Sequence, residues 1–267
     1  VGAARLLVVA GAASGVGKTT VTLGLLAALR RRGLVVQAFK VGPDFIDPGF
    51  HELVTSRPSY NLDGWMCGRA HVLATVARHA ADADVAVIEG AMGCFDGLDG
   101  ESEDGSTAQV AKWLGAPVVL VVDAQAQSRS AAAVVLGFER FDPALNVAAV
   151  IANRVAGETH ARWIRDAVAA SCRATAVGAI RHDERLTLAE RHLGLVTAGE
   201  GALSGDTRER LSDVIERSVD IDALLRLAAP CGAPRAAAPA ASPAGRRVRV
   251  GVARDAAFCF YYSATRS

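Results

Sequence analysis

The segment Gly11-Ala12-Ala13-Ser14-Gly15-Val16-Gly17-Lys18-Thr19-Thr20 stands between an apolar run at 6–10 and a helix-patterned run at 21–32. Strand, glycine-rich loop and helix in this order make a phosphate cradle, because glycines let backbone N–H groups close around an anion. The new helix aims the positive end of its dipole at the same point. Lys18 is placed to reach the β- and γ-phosphates of a nucleoside triphosphate, and the Thr19 hydroxyl suits Mg²⁺. The expected nucleotide contacts in the loop are Gly15, Val16, Gly17, Lys18, Thr19 and Thr20, with ATP and Mg²⁺ as the cofactors. Five residues separate Gly11 from Gly17 where the common pattern has four, so this loop is one residue long.

A phosphate loop needs a parallel sheet behind it, and the rest of the chain supplies the pattern for one. Apolar strand-like runs at 6–10, 35–40, 85–89, 118–123, 147–153 and 176–180 alternate with amphipathic segments at 21–32, 70–81, 107–114, 130–141 and 160–170. Such alternation predicts an α/β fold of the phosphate-loop type, a parallel sheet with helices on both faces. Ligands of such sheets lie beyond the carboxyl ends of the strands. The chemically suggestive residues cluster there.

The 267 residues suit one large domain or one domain and a fragment, and 51% hydrophobic residues provide a sizeable core. A net charge of +1 gives no reason to expect nucleic acid or an anionic membrane as partner. Five cysteines without a C-x-x-C pair argue against a zinc site and a disulfide framework, and fit the cytoplasm. Residues 206–227 read as one or two helices. The stretch 229–247 is Ala/Pro-rich and reads as an extended linker. It is followed by Val248-Arg249-Val250-Gly251-Val252, which reads as the opening strand of another domain. The expected organisation is therefore 1–228 as the nucleotide-dependent domain, 229–247 as the linker and 248–267 as the start of a truncated second domain.

Past the phosphate loop, Lys40-Val41-Gly42-Pro43-Asp44-Phe45-Ile46-Asp47 puts a cation and two carboxylates in a stiffened loop after the second strand. It can bind a carboxylate and Mg²⁺ together, or be a solvated surface loop. Glu89 closes an apolar strand, where phosphate-loop enzymes hold a second Mg²⁺ contact. Ser106 reads as a helix cap or a substrate contact. Asn153 suits an adenine edge or a structural strand end, and Arg154 follows it. Glu190 and His192 read by default as a solvated helix end.

Taken in order, GAASGVGKTT, FKVGPDFIDPGFH, YNLDGWMCG, VIEGAMGCFDG, VVLVVDA, ANRVAGETH and LAERHLGLVTAGE resemble the cobyrinic acid a,c-diamide synthase family, whose aerobic-pathway members act on hydrogenobyrinic acid. The resemblance covers about residues 5–200 and extends to the linker and VGVARDAAFCFYY. It implies a dethiobiotin-synthetase-like domain joined to a class I glutamine amidotransferase domain. The implied reaction is ATP-dependent amidation of the a and c side-chain carboxylates of a corrin precursor in cobalamin biosynthesis, with ammonia from glutamine. The implied roles are Lys18, Lys40, Asp44 and Glu89 in catalysis; Thr19, Asp44 and Glu89 at the metal; Asn153 and Arg154 at the nucleotide; and Asp44, Phe45, Ile46, Ser106, Glu190 and His192 toward substrate. The implied partners are the corrin acid, glutamine or ammonia and the amidotransferase domain, with a homodimer left open. Cobyric acid synthase and a nickel-tetrapyrrole amidase share this architecture. A partitioning-type switch ATPase is disfavoured by Ala13, where those proteins carry a signature Lys. The chain departs from the family at Ala179-Ile180-Arg181-His182-Asp183, where an aliphatic residue is usually followed by Pro-Arg-Asp.

Overall fold

A computed structural model of the chain describes residues 3–183 and 203–232, and of the remainder 249, 251–253, 255, 258 and 261–266. The predicted strands are present as β1 (Arg5–Gly11), β2 (Val36–Val41), β4 (Val85–Glu89), β5 (Val118–Asp123), β6 (Val147–Val155) and β7 (Thr175–Arg181), joined by a short β3 (Tyr60–Leu62). They form one parallel sheet in the order β3-β2-β4-β1-β5-β6-β7. The chain moves outward from β1 to β2 and β3, returns to insert β4, then continues on the other side. The direction of winding reverses around β1 and β4, the place where such sheets open a crevice for ligand.

Alternation along each strand sends successive side chains to opposite faces. Leu6, Val8, Ile88 and Leu120 belong to one core, which is closed by α3 (Gly68–His79), α4 (Thr107–Leu114), α5 (Arg129–Phe141) and α6 (Glu158–Ser171). Leu7, Val9, Val87 and Val119 belong to the other, closed by α1 (Lys18–Arg31), α2 (Asp47–Thr55), α7 (Gly205–Ser218) and α8 (Ile221–Leu227). The central strands β1, β4 and β5 are buried on both faces along nearly all their length, as their apolar runs require, while β7 at the edge is only partly covered.

Three features go beyond the sequence expectation. Helix α2 begins at the end of the expected loop and runs through a stretch to which the sequence pattern assigns no element. Pro48 sits in its first turn, where a missing N–H costs nothing, and Asp44 Oδ1 accepts from the Ile46 and Asp47 amides as the chain turns in. Strand β3 is a three-residue edge too short to stand out as a pattern. A two-residue strand β8 (Ala229–Pro230) pairs antiparallel with Arg5 and Leu6, and the Cys231 amide donates to Ala4 O. The pairing of β1 with β5 begins only at Val8, so the first residues of β1 have that edge available. The beginning of the expected linker is thus extended but bonded into the sheet. Among the described residues no helix is long and apolar enough to cross a membrane.

Candidate active site

The phosphate loop leaves the carboxyl end of β1 and turns into α1 with Gly15 at φ 75° and Gly17 at φ 93°. A Cβ on Gly17 would stand 2.3 Å from Asn153 Nδ2, so both the backbone angle and the neighbour demand glycine there. Gly17 is the N-cap of α1, and no side chain caps that helix. The first-turn amides, which lack an intrahelical acceptor, are directed into the loop. Val16 packs into the core beneath, while Thr19 and Thr20 are half-buried. Lys18 is buried with Nζ 3.4 Å from Ala13 O, and burial together with the nearby Lys40 lowers its pKa. A cation held in a desolvated place beside free-facing amides gains most from an anion.

Glu89 is the hub next to this loop. The register sets it opposite Val9 of β1 and Lys40 of β2, and it is fully buried. Its Oε1 accepts from Thr19 Oγ1 at 2.7 Å and from Lys40 Nζ at 3.1 Å, and its Oε2 lies 2.7 Å from His51 Nε2. Burial pushes the carboxyl upward, but Lys40 beside it and the hydrogen bonds from His51 and Thr19 outweigh burial and hold it well below the usual carboxylate range. Lys40 is the mirror case. Burial works to lower its pKa, and Glu89 and Asp47 override that and raise it above the lysine range. Asp47, 2.7 Å from Lys40, is pushed up to about 6 by burial and by the like charge of Glu89, against the pull of Lys40.

The structure gathers most of the sequence-predicted residues but alters what several can do. Lys40 Nζ has three protons, and it meets Glu89 Oε1, Gly90 O at 2.9 Å and Asp47 Oδ2. In this arrangement it is an internal counter-ion that positions Glu89, rather than a group presented to substrate. Asp44 fixes the turn into α2 through Oδ1 and holds Oδ2 4.0 Å from Lys40. Phe45 is exposed on the same turn, whereas Ile46 joins the core and is withdrawn from substrate. Ser106 is fully buried and accepts from the Gln109 amide as the N-cap of α4, so its role is capping and not substrate contact. Asn153 Nδ2 donates to Val16 O and Oδ1 accepts from the Arg154 amide. Arg154 pairs with Asp123 and donates to Gly15 O. These two residues brace the loop from the β6 side, each with hydrogen-bonding capacity left. Glu190 and His192 lie outside the described residues.

Sequence reasoning missed His51 and gave no separate role to Asp47. Helix α2 places them four residues apart, on one face directed at Glu89. Ser59 Oγ, 3.0 Å from His51 Nδ1, completes that chain of polar contacts. The signal was present in Asp47-Pro48-Gly49-Phe50-His51, but Pro and Gly there read as a turn. Cys94, also nearby, has a thiol pushed up to about 12 by burial and by Asp96, which removes it as a nucleophile at neutral pH.

Among the described residues no group of three or more His, Cys, Asp or Glu is arranged to hold a metal by itself. Mg²⁺ takes one or two protein oxygens and completes its shell with water and phosphate. Thr19 gives its proton to Glu89, which leaves the hydroxyl lone pairs to face the loop. The donor set is hard oxygen throughout and fits the ion.

The cobyrinate a,c-diamide synthase of Syntrophotalea carbinolica is 51% identical over 257 residues, which is 96% of this chain and 56% of that protein. The hydrogenobyrinate a,c-diamide synthase of Rhodobacter capsulatus is 49% identical over 258 residues, 96% of this chain and 58% of that protein. The chain thus spans about half the length of the curated relatives it matches. The solved MinD cell division protein of Aquifex aeolicus superposes with a TM-score of 0.50 at 17% identity, covering 80% of this chain and 96% of that one, and shares the fold. Residues 7–196, from β1 through the loop, the Glu89 hub and β7, match the CobQ/CobB/MinD/ParA nucleotide binding domain, and the chain belongs to that family.

Proposed function

We propose that this chain is the carboxylate-activating part of a cobyrinate or hydrogenobyrinate a,c-diamide synthase, using ATP and Mg²⁺. The observation that carries the reading is the Glu89 network. Through Thr19 and Lys40 it joins the phosphate loop to the Lys40–Asp47 turn in one buried unit, which supports a reading in which triphosphate and acceptor acid meet at a single place. The extent of similarity to the two diamide synthases supports the choice of acid.

A carboxylate resists attack by ammonia because oxide is a very poor leaving group. Transfer of the γ-phosphoryl group to the carboxylate oxygen gives an acyl phosphate. Ammonia then adds to the carbonyl carbon, phosphate departs with the former carboxylate oxygen, and the amide remains. Positioning and charge neutralisation carry such a transfer. Lys18 and the amides at the start of α1 hold the β- and γ-phosphates and offset repulsion from the incoming carboxylate. Glu89, fixed by Lys40 and His51, orients Thr19. Mg²⁺, when bound, neutralises phosphate charge, with Thr19 holding it and Glu89 and Asp44 as the neighbouring carboxylates. Asn153 and Arg154 support the nucleotide side of the loop.

In this reading 1–228 carry the activating site, 229–247 form the link, and 248–267 begin the part that supplies ammonia from glutamine. The location is the cytoplasm, where the free thiols at Cys67, Cys94, Cys172 and Cys231 stay reduced. The test incubates the purified chain with ATP, Mg²⁺, ammonium chloride and either cobyrinate or hydrogenobyrinate. The expected result is ADP release that depends on the corrin acid, with the mass change of replacing two carboxyl OH groups by NH₂. Nucleotide binding without corrin-dependent ADP release at saturation would overturn the assignment.

A further inference from the structure

The geometry points to an apolar platform beside the activating site, formed by Trp65, Met66, Met92 and Leu98 and bordered by Phe45, that holds the ring body of the substrate. The inference rests on the proposed reading, because it supplies the surface on which a macrocyclic tetrapyrrole acid would lie. Trp65 is 61% exposed, Leu98 57%, Met66 54%, Met92 47% and Phe45 41%, and it is their grouping on neighbouring loops that is informative. They come from the loops after β2, β3 and β4, three adjacent parallel strands, and so stand at the same end of the sheet as Lys18 and Glu89.

These loops are held in place. Asn61 Nδ2 donates to Gly42 O and Asp44 O, tying the end of β3 to the Phe45 turn. Asp63 Oδ1 accepts from the Trp65 and Met66 amides. Leu98 N donates to Asp104 O, and a Cβ on Gly105 would lie 3.8 Å from Trp65 Cβ and 3.9 Å from Leu98 N, so the Trp65 and Leu98 loops meet there. Met92 keeps φ at 47°, a left-handed angle rare outside glycine, while Thr107 Oγ1 bonds both backbone groups of the neighbouring Ala91. Strain kept on an exposed apolar residue next to Gly90, the carbonyl partner of Lys40, is the mark of a site rather than of a core. On the Phe45 side the surface is bounded by the Tyr262 ring, which stacks on Phe45 with centroids 4.2 Å apart.

The occupant follows from size and continuity. β3 lies three strands from β1, a span of about 14 Å. A small acid held at Lys18 would leave this surface untouched. A macrocycle with carboxylates on short side chains reaches Lys18 only if its ring rests on the neighbouring surface, and the hydrocarbon face of the ring, with the carboxylates at its edge, matches what the loops present.

The test compares the parent chain with Trp65→Ser, Met66→Ser, Leu98→Ser and the triple variant, with Trp163→Ser on α6 as an exposed control. Cobyrinate affinity is measured by the corrin absorbance change on binding, ATP affinity by titration, and amidation with ammonium. Each platform substitution is expected to weaken cobyrinate binding roughly tenfold, the energy of one large apolar side chain partly covered, with ATP affinity, thermal midpoint and kcat kept. Trp163→Ser should leave all four unchanged. Unchanged cobyrinate affinity in the triple variant overturns the platform. So does unchanged affinity accompanied by loss of parent self-association, which would assign the patch to a second copy. If the parent binds cobyrinate through these residues but forms no diamide, the platform stands and the proposed reaction fails.

Discussion

At several single residues one atom decides the outcome. Gly17→Ala would force a side chain into a φ of 93° and within 2.3 Å of Asn153 Nδ2. We predict loss of measurable nucleotide binding by calorimetric titration, with a thermal midpoint within a few degrees of the parent because the loop lies outside the core; a variant that binds normally contradicts the cradle geometry. Glu89 makes a prediction about pH. Its folded pKa lies below the ordinary 4.5, so it favours folding above that pH, and the contribution is lost as pH falls below it. Asp47 acts in the opposite sense. Raised from 3.8 to about 6, it favours folding at low pH and loses that contribution as pH rises through 6. Urea midpoints of the metal-free chain should therefore fall less steeply below pH 4.5 in Glu89→Gln than in the parent. In Asp47→Asn the decline between pH 4 and 6 should disappear. Glu89→Ala, which leaves Lys40 paired with Asp47 but removes the carboxylate buried between Lys40, His51 and Thr19, should cost about 3 kcal/mol at pH 7. The loop, Lys40, Asp44, Glu89 and Asn153 were legible because each sits beside a strand end in a recognisable pattern. His51 was not, since its meaning depends on α2 turning it back toward a carboxylate 38 positions away. Lys40 and Ser106 were found, but their partners in space, which the sequence does not show, change what they do.

Elements were legible to the extent that their burial is periodic. Strands buried on both faces announce themselves as apolar runs, and six were placed within two residues of their observed ends. The helices α3 to α6, which close the core around Leu6 and Val8, show the same clarity. What escaped were pieces defined by a neighbour: β3 exists as an edge for β2, and β8 as a partner for the first residues of β1. The α1–α7 contact is a further example. Gly24 in α1 admits α7 so closely that a Cβ would stand 2.5 Å from Ile215 Cγ1 and 3.0 Å from Leu211 O. Alanine there gains about 1 kcal/mol in helix propensity. The overpacking cost of about 1–3 kcal/mol is larger, because one neighbour is backbone. Gly24→Ala should lower the denaturant midpoint and leave nucleotide affinity nearly unchanged; a rise in the midpoint would show that α7 can retreat freely.

On the scale of the whole molecule, one parallel sheet brings the ends of β1, β2 and β4 together, and that is where a phosphate loop, an ion-pair network and an apolar rim coincide. The order of strands explains why residues from three separate stretches make a single site. In the proposed reading this chain activates the acid, with ammonia supplied in solution in the test. The central claim is that phosphate is transferred to a corrin carboxylate before the amide forms. The direct measurement uses cobyrinate labelled with oxygen-18 in its carboxylates, incubated with the chain, ATP, Mg²⁺ and ammonium, and follows the released inorganic phosphate by mass spectrometry. The account predicts that one labelled oxygen appears in phosphate for each amide formed; diamide produced with unlabelled phosphate would contradict it.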